Sequence, residues 1–173
     1  IGLDFYQTLA IPNGHGIVIS NGTWVTDIRD NTIAGNNQTG IFIQGIDATI
    51  ESKDFLITGN KIGLNNNLAS FPNNRGIVVE GNVSDVWIGS IIGHDEDPNF
   101  IISNTNGGIV VKTDSGGYAP KNVTLRKNII NRNTVTNLLV DPAANLGIQP
   151  PQGLSFSGTL LTGIHQISNA VID

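Results

Sequence analysis

Thr26-Asp27-Ile28-Arg29-Asp30-Asn31-Thr32-Ile33, followed nine residues after its asparagine by Gly40-Ile41-Phe42-Ile43, is the stretch that decides the fold. Its frame returns as Phe55-x-Ile57-x-x-Asn60-x-Ile62 and as Val123-x-Leu125-x-x-Asn128-x-Ile130. The nine-residue step to the next strand returns too, from Asn99 to Gly108 and from Asn128 to Asn137. Each of those strands sets two apolar residues around one that points the other way: Ile17/Ile19, Ile41/Ile43, Ile77/Val79, Ile109/Val111 and Leu138/Val140. Apolar residues at spacing two in very short runs are strand periodicity, and no stretch keeps a helical period over three turns. The runs are bounded by Gly, Asn and Asp, which tolerate the positive φ of tight turns.

A longer repeat encloses this unit. Ile1-Gly2-Leu3 returns as Ile62-Gly63-Leu64, and Gly16-Ile17-Val18-Ile19 as Gly76-Ile77-Val78-Val79. One turn of three short strands cannot bury its apolar face, but stacked turns form parallel sheets around a continuous interior. The expectation is therefore an all-β solenoid, a parallel β-helix of about five coils over residues 1–140. Asn31, Asn60, Asn99 and Asn128 are expected to form a ladder at one bend, because a mere turn former would not hold a fixed offset to the following isoleucine. The ladder spacings of 29, 39 and 29 residues imply insertions at corners. These are Leu64 to Arg75 (with its counterpart Leu3 to His15), Gly89 to Pro98, and Lys112 to Lys121 opposite Gly45 to Lys53. Insertions of this kind collect on a face and often carry binding surfaces. After Val140 the pattern stops at Asp141-Pro142 and Gln149-Pro150-Pro151. Residues 141–173 are expected to cap or line the helix or to begin a following domain.

Isoleucine (25), asparagine (22) and glycine (21) make up about two fifths of the 173 residues, while charged residues are 13%. Average domains carry about 25% charge, so this surface is built of neutral polar groups. The net charge of −5 and the scattered lysines and arginines exclude a phosphate-binding patch and with it nucleic acid as a partner. No apolar run reaches the length of a membrane span, and the lack of cysteine excludes a disulfide-stapled scaffold. The opening Ile1-Gly2-Leu3, without methionine or signal peptide, reads as a mature or proteolysed piece of a longer chain.

The pattern resembles the right-handed parallel β-helix repeats of the pectate-lyase-like superfold, and more narrowly those of large bacterial secreted and cell-surface proteins. The resemblance rests on Asn60-Lys61-Ile62-Gly63, a variable loop and Asn74-Arg75-Gly76-Ile77, alternating with Ile91-Ile92-Gly93 and Asn104-Thr105-Asn106-Gly107-Gly108-Ile109. It covers residues 1–140 and implies a fold, not an activity, because the superfold hosts lyases, hydrolases, epimerases, tailspikes and adhesins.

Outward columns follow from strand alternation. Val18, Phe42, Val78, Val110 and Leu139 form an apolar one, which is expected to face a partner, either the segment Leu154–Ile172 or a neighbouring domain. Ser20, Gln44, Glu80 and Lys112 form the next; Asp27, Leu56, Trp87 and Thr124 a third; Thr32, Lys61, Phe100 and Ile129 a fourth. None offers two adjacent carboxylates and a base, the constellation that polysaccharide cleavage needs.

The densest polar cluster is His94-Asp95-Glu96-Asp97. Asp95 and Asp97 are a candidate Ca²⁺ site, and His94, Asp95 and Asp97 the catalytic candidates if the chain is an enzyme. A Gly-His pair also occurs in β-helix polygalacturonases, but the Asn-Thr-Asp, Asp-Asp and Arg-x-Lys elements that accompany it there are missing. Trp87 joins His94–Asp97 as a ligand-binding candidate, since an outward indole stacks on sugar rings. His15 and His165 read as a turn residue and a tail residue. The expected function is a non-catalytic module, a rigid spacer and adhesion surface at the cell surface or outside the cell, with polysaccharide a candidate ligand and other domains or a partner protein as contacts. A polysaccharide lyase or glycoside hydrolase is the alternative, and a phage tailspike segment a more distant one. No cofactor beyond Ca²⁺ is anticipated.

Overall fold

A computed structural model describes residues 1–46, 49–90 and 98–144, together with the backbone of strands 152–157 and 160–164. The described chain is all-β, with three parallel sheets that the strands visit in rotation. Sheet I holds β1 (Ile17–Ser20), β4 (Thr39–Gly45), β7 (Arg75–Gly81), β10 (Gly107–Lys112) and β13 (Leu138–Val140). Sheet II holds β2 (Trp24–Arg29), β5 (Ser52–Thr58), β8 (Val83–Gly89) and β11 (Lys121–Arg126). Sheet III holds β3 (Thr32–Ile33), β6 (Lys61–Ile62), β9 (Phe100–Ile102) and β12 (Ile129–Asn131). Each strand thus pairs with the strand three further along the chain, and one strand from each sheet makes a layer. This is consistent with the β-helix expected from the repeat. Strands β14 (Gln152–Ser157) and β15 (Leu160–Ile164) pair antiparallel with each other.

Register confirms the columns read from the sequence. Ile41, Ile77 and Ile109 stack, as do Ile43, Val79 and Val111, and Ile33, Ile62 and Ile101. With Phe55 and Ile57 these side chains are wholly buried and form one core. A buried side chain of this size contributes about 1.5–3 kcal/mol of transfer free energy, so the stacked files are the main stabilising term.

The corners turn on single left-handed residues. Asp30, Gly59 and Lys127 precede ladder asparagines with φ of 56°, 68° and 49°. A second file, Val25, Asp54, Asp85 and Asn122, has φ of 51–62° and is skipped by the pairing on either side, a kink carried in register through sheet II. Val25 is β-branched and 78% exposed there, so it carries strain without packing to offset it.

The expected ladder is present. Asn60 Oδ1 accepts from Asn31 N and Asn31 Nδ2 at 3.0 and 3.1 Å, while Asn60 Nδ2 donates to Ile28 O at 2.8 Å and to Asn99 Oδ1 at 3.0 Å. Asn99 Nδ2 continues to Asn128 Oδ1 at 3.0 Å. A second ladder at the next corner was not anticipated. It runs from Asn13 through Asn36, Asn73 and Asn104 to Asn133, by Nδ2-to-Oδ1 bonds of 2.9–3.2 Å.

The Leu3–His15 and Leu64–Arg75 insertions each close with an antiparallel bridge, Leu3 with Ala10 and Leu64 with Ser70. The layer between them has no insertion, so the two loops meet: Asn65 Nδ2 donates to Gln7 O at 3.0 Å and Asn66 N to Gln7 Oε1 at 2.7 Å. Asp4 fastens the first loop by accepting from Thr8 N and Leu9 N at 2.7 and 2.8 Å.

Three outcomes follow. Asn99→Ala removes partners from the buried Asn60 and the half-buried Asn128 amides and lowers unfolding free energy by about 3 kcal/mol in urea titration; a loss under about 1 would show that water replaces the amide. Val25→Asn raises stability by about 1 kcal/mol in the same assay, since asparagine tolerates the left-handed region; a loss would contradict the strain. The backbone N–H of Leu9, then that of Thr8, holds the Asp4 carboxyl below its ordinary 3.8. Its fastening is complete above that ordinary value and lost as pH falls through the lowered one. The Leu9 and Thr8 amide resonances should therefore titrate together with a midpoint below 3.8, and a midpoint at or above it would refute the fastening.

Candidate functional site

The apolar file Val18, Phe42, Val78, Val110 and Leu139 lies in register across sheet I. Its ends, Val18 and Leu139, are 54% and 51% exposed, Phe42 is half-buried, and Val78 and Val110 are buried. The side chains of Leu154–Ile172, expected as cover, lie outside the described residues.

Beside this file the sheet forms a groove of about 320 Å³ whose floor is Val78 and whose aromatic wall is Phe42 and His15. His15 stands just ahead of β1, where Gly16 N is tied to Thr39 O at 2.9 Å. From there the imidazole stacks on Phe42 of the next layer, with centroids 5.1 Å apart and planes 19° from parallel. Gln38, Thr39 and Asn74 supply neutral polar groups to the groove.

Its charges come from adjacent strands. Lys112 and Glu80 are register partners on β10 and β7 and form an ion pair of 2.8 Å. Arg75, at the start of β7, is tied by its backbone N–H to Gln38 O at 3.0 Å, and its guanidinium has no carboxylate partner among the described residues. Arg75, without a carboxylate partner among the described residues, therefore sits beside an aromatic pair on a chain of net charge −5. Buried polar atoms are normally paired, yet His15 Nδ1 and Asn74 Oδ1 are buried without a hydrogen-bond partner among the described residues. Both belong to planar groups whose two ends exchange on a half-turn. Such a surface has the chemistry to stack on a ring while Arg75 donates N–H bonds to an anionic oxygen. Among the described residues that line it, Glu80 is the one carboxylate and is already engaged by Lys112.

A second groove, of about 350 Å³, lies along sheet III between Asp30, Lys61, Asn66 and Phe100. Thr32 Oγ1 donates to Asn66 Oδ1 at 2.6 Å in its wall. Pro98 lines it too. His94, Asp95, Glu96 and Asp97, which precede that proline, lie outside the described residues. Trp87 is half-buried on β8, in register with Leu56 and Thr124 on sheet II. The other indole, Trp24, is exposed, with Lys53 Nζ 5.1 Å from its ring centroid.

The sequence reading missed His15, Asn74 and Arg75. They stand two or three residues ahead of the apolar pair of a sheet I strand, and the positions equivalent to His15 and Arg75 hold Thr39 and Gly107 in other layers, so no recurrence marked them. Among the described residues no group of three His, Cys, Asp or Glu is placed to hold a metal ion, and no helix is long and apolar enough to cross a membrane. No protein-family model matches the chain, and neither a curated protein nor a solved structure is significantly similar to it.

Proposed function

We propose that this chain is a right-handed parallel β-helix of about five coils over residues 1–140, of the pectate-lyase-like kind, acting as a non-catalytic module of a secreted or surface-exposed bacterial protein. Residues 141–173 cap or line the helix or begin a following domain. The module is a stiff spacer that carries a binding face, and its ligand is a saccharide bearing a carboxylate.

The observation that carries this reading is the groove on sheet I: a stacked His15–Phe42 platform beside Arg75, an arginine without an acidic partner among the described residues. A sugar ring offers an apolar face to the platform, and a uronate carboxylate matches the guanidinium in charge and planarity. The stiffness follows from hydrogen bonds in every layer, made by both the strands and the asparagine ladders. The alternative of a polysaccharide-cleaving enzyme rests on His94, Asp95 and Asp97, and no described groove brings two unpaired carboxylates together.

Calorimetric titration with oligogalacturonate, against a neutral glucan of equal length, tests the reading. The acidic oligomer should bind, the neutral one weakly, and Arg75→Ala should weaken the former about 10-fold or more, the loss of one charge-assisted hydrogen bond. Equal binding by Arg75→Ala, or release of shortened oligosaccharides seen by mass spectrometry, would overturn it.

A further inference from the structure

The two ends of the layer stack are not equivalent, and the difference is written in one column. Gly16, Gly40, Gly76 and Gly108 directly precede the stacked Ile17, Ile41, Ile77 and Ile109 of sheet I, and ahead of Leu138 in the last strand, β13, that position is Asn137. The glycines are required by the layer that follows them. A Cβ at Gly40 would lie 2.8 Å from Gly76 O and 3.2 Å from Asn73 Nδ2. At Gly76 it would meet Gly108 O at 2.5 Å and Asn104 Nδ2 at 3.1 Å, and at Gly108 it would meet Asn137 O at 2.5 Å and Asn133 Nδ2 at 2.8 Å. Backbone and ladder amide of the next layer thus fill the space a side chain would need.

Asn137 has that side chain. Its Oδ1 accepts from Asn133 N at 3.3 Å and from Asn133 Nδ2 at 3.0 Å. Those are the two bonds that the ladder asparagine of a following layer makes elsewhere: Asn133 Oδ1 receives Asn104 N and Asn104 Nδ2, both at 3.0 Å. A residue four positions downstream therefore takes the place of the missing rung.

The chain after β13 points the same way. Asp141 N is still tied to Val111 O at 2.8 Å, but Asp141 Oδ1 then accepts from Ala143 N at 3.0 Å and Ala144 N bonds back to Asp141 O at 2.9 Å. This turn brings Ala144 into the core cluster, fully buried.

We infer that Asn137 is a built-in terminator: it completes the second ladder from within its own layer and bars a further layer from stacking on β13. The end of a parallel stack is otherwise an open template, with unpaired strand edges ready to pair with another chain, and repeat arrays need a distinct terminal unit to stay soluble.

Two measurements test this. The cap uses only an acceptor oxygen, so Asn137→Asp keeps the wild-type Tm while Asn137→Ala lowers it by about 2–4 °C; an unchanged Tm in Asn137→Ala, or an equal drop in both, overturns the capping bond. In the second, a duplicate of residues 112–140 is inserted after Val140, with either Asn137 or Gly at position 137 of the original layer. With glycine the added layer should resist limited proteolysis, and with asparagine it should be cut. Equal protection in both would overturn the steric bar.

Discussion

A buried asparagine amide has two donors and two acceptor sites, and in this molecule all four are met only if the layers above and below stand at the same height and register. Asn60 is the clearest instance, with Asn31 on one side, Asn99 on the other and the Ile28 carbonyl completing the set. A slip of one residue would strand such a group in the core, at a cost of about 1–3 kcal/mol per unmet bond. Aliphatic stacking supplies most of the stabilisation, but an isoleucine file tolerates small shifts and an amide ladder does not. Two ladders at successive corners therefore fix the register of all three sheets, and every outward column inherits its alignment from them.

This explains what was legible in the sequence. Columns such as Val18-Phe42-Val78-Val110-Leu139 followed from period-two alternation, the nine-residue step from ladder asparagine to strand in three layers and the matching Gly16-Ile17-Val18-Ile19 and Gly76-Ile77-Val78-Val79 in the other two, and the pairing reproduces them. The second ladder escaped because its spacing is not constant. Asn31 to Asn36, Asn99 to Asn104 and Asn128 to Asn133 are each five residues apart, but Asn60 to Asn73 is thirteen, since the Leu64–Ser70 loop intervenes. The signal was Asn-x-Ile-x-x-Asn, visible in three layers and masked in the fourth by a structurally neutral insertion.

The groove on sheet I was less legible for a different reason. Its contacts join residues in successive layers: His15 with Phe42, Lys112 with Glu80, Arg75 with Gln38. None is near its partner in sequence, and each becomes a neighbour only after the register is known. His15, read as a plain turn residue, gains its place because the turn ahead of β1 is held to Thr39 of the next layer. The groove's chemistry is thus assembled across layers, by side chains that look incidental within any single repeat.

The same division accounts for how one repeat carries different surfaces. Residues whose chemistry is fixed, the stacked isoleucines of the core, the ladder asparagines and the column glycines, point inward or sit against the next layer. Loops can be inserted at a corner without disturbing them, as Leu3–Ala10 and Leu64–Ser70 are, provided the intervening layer leaves room for the two to meet. Outward positions are released from the stacking constraint, which is why Ser20, Gln44, Glu80 and Lys112 share a column and little chemistry. A binding face on such a stack is set by which unconstrained residues happen to align, and its geometry is as rigid as the ladders beneath it.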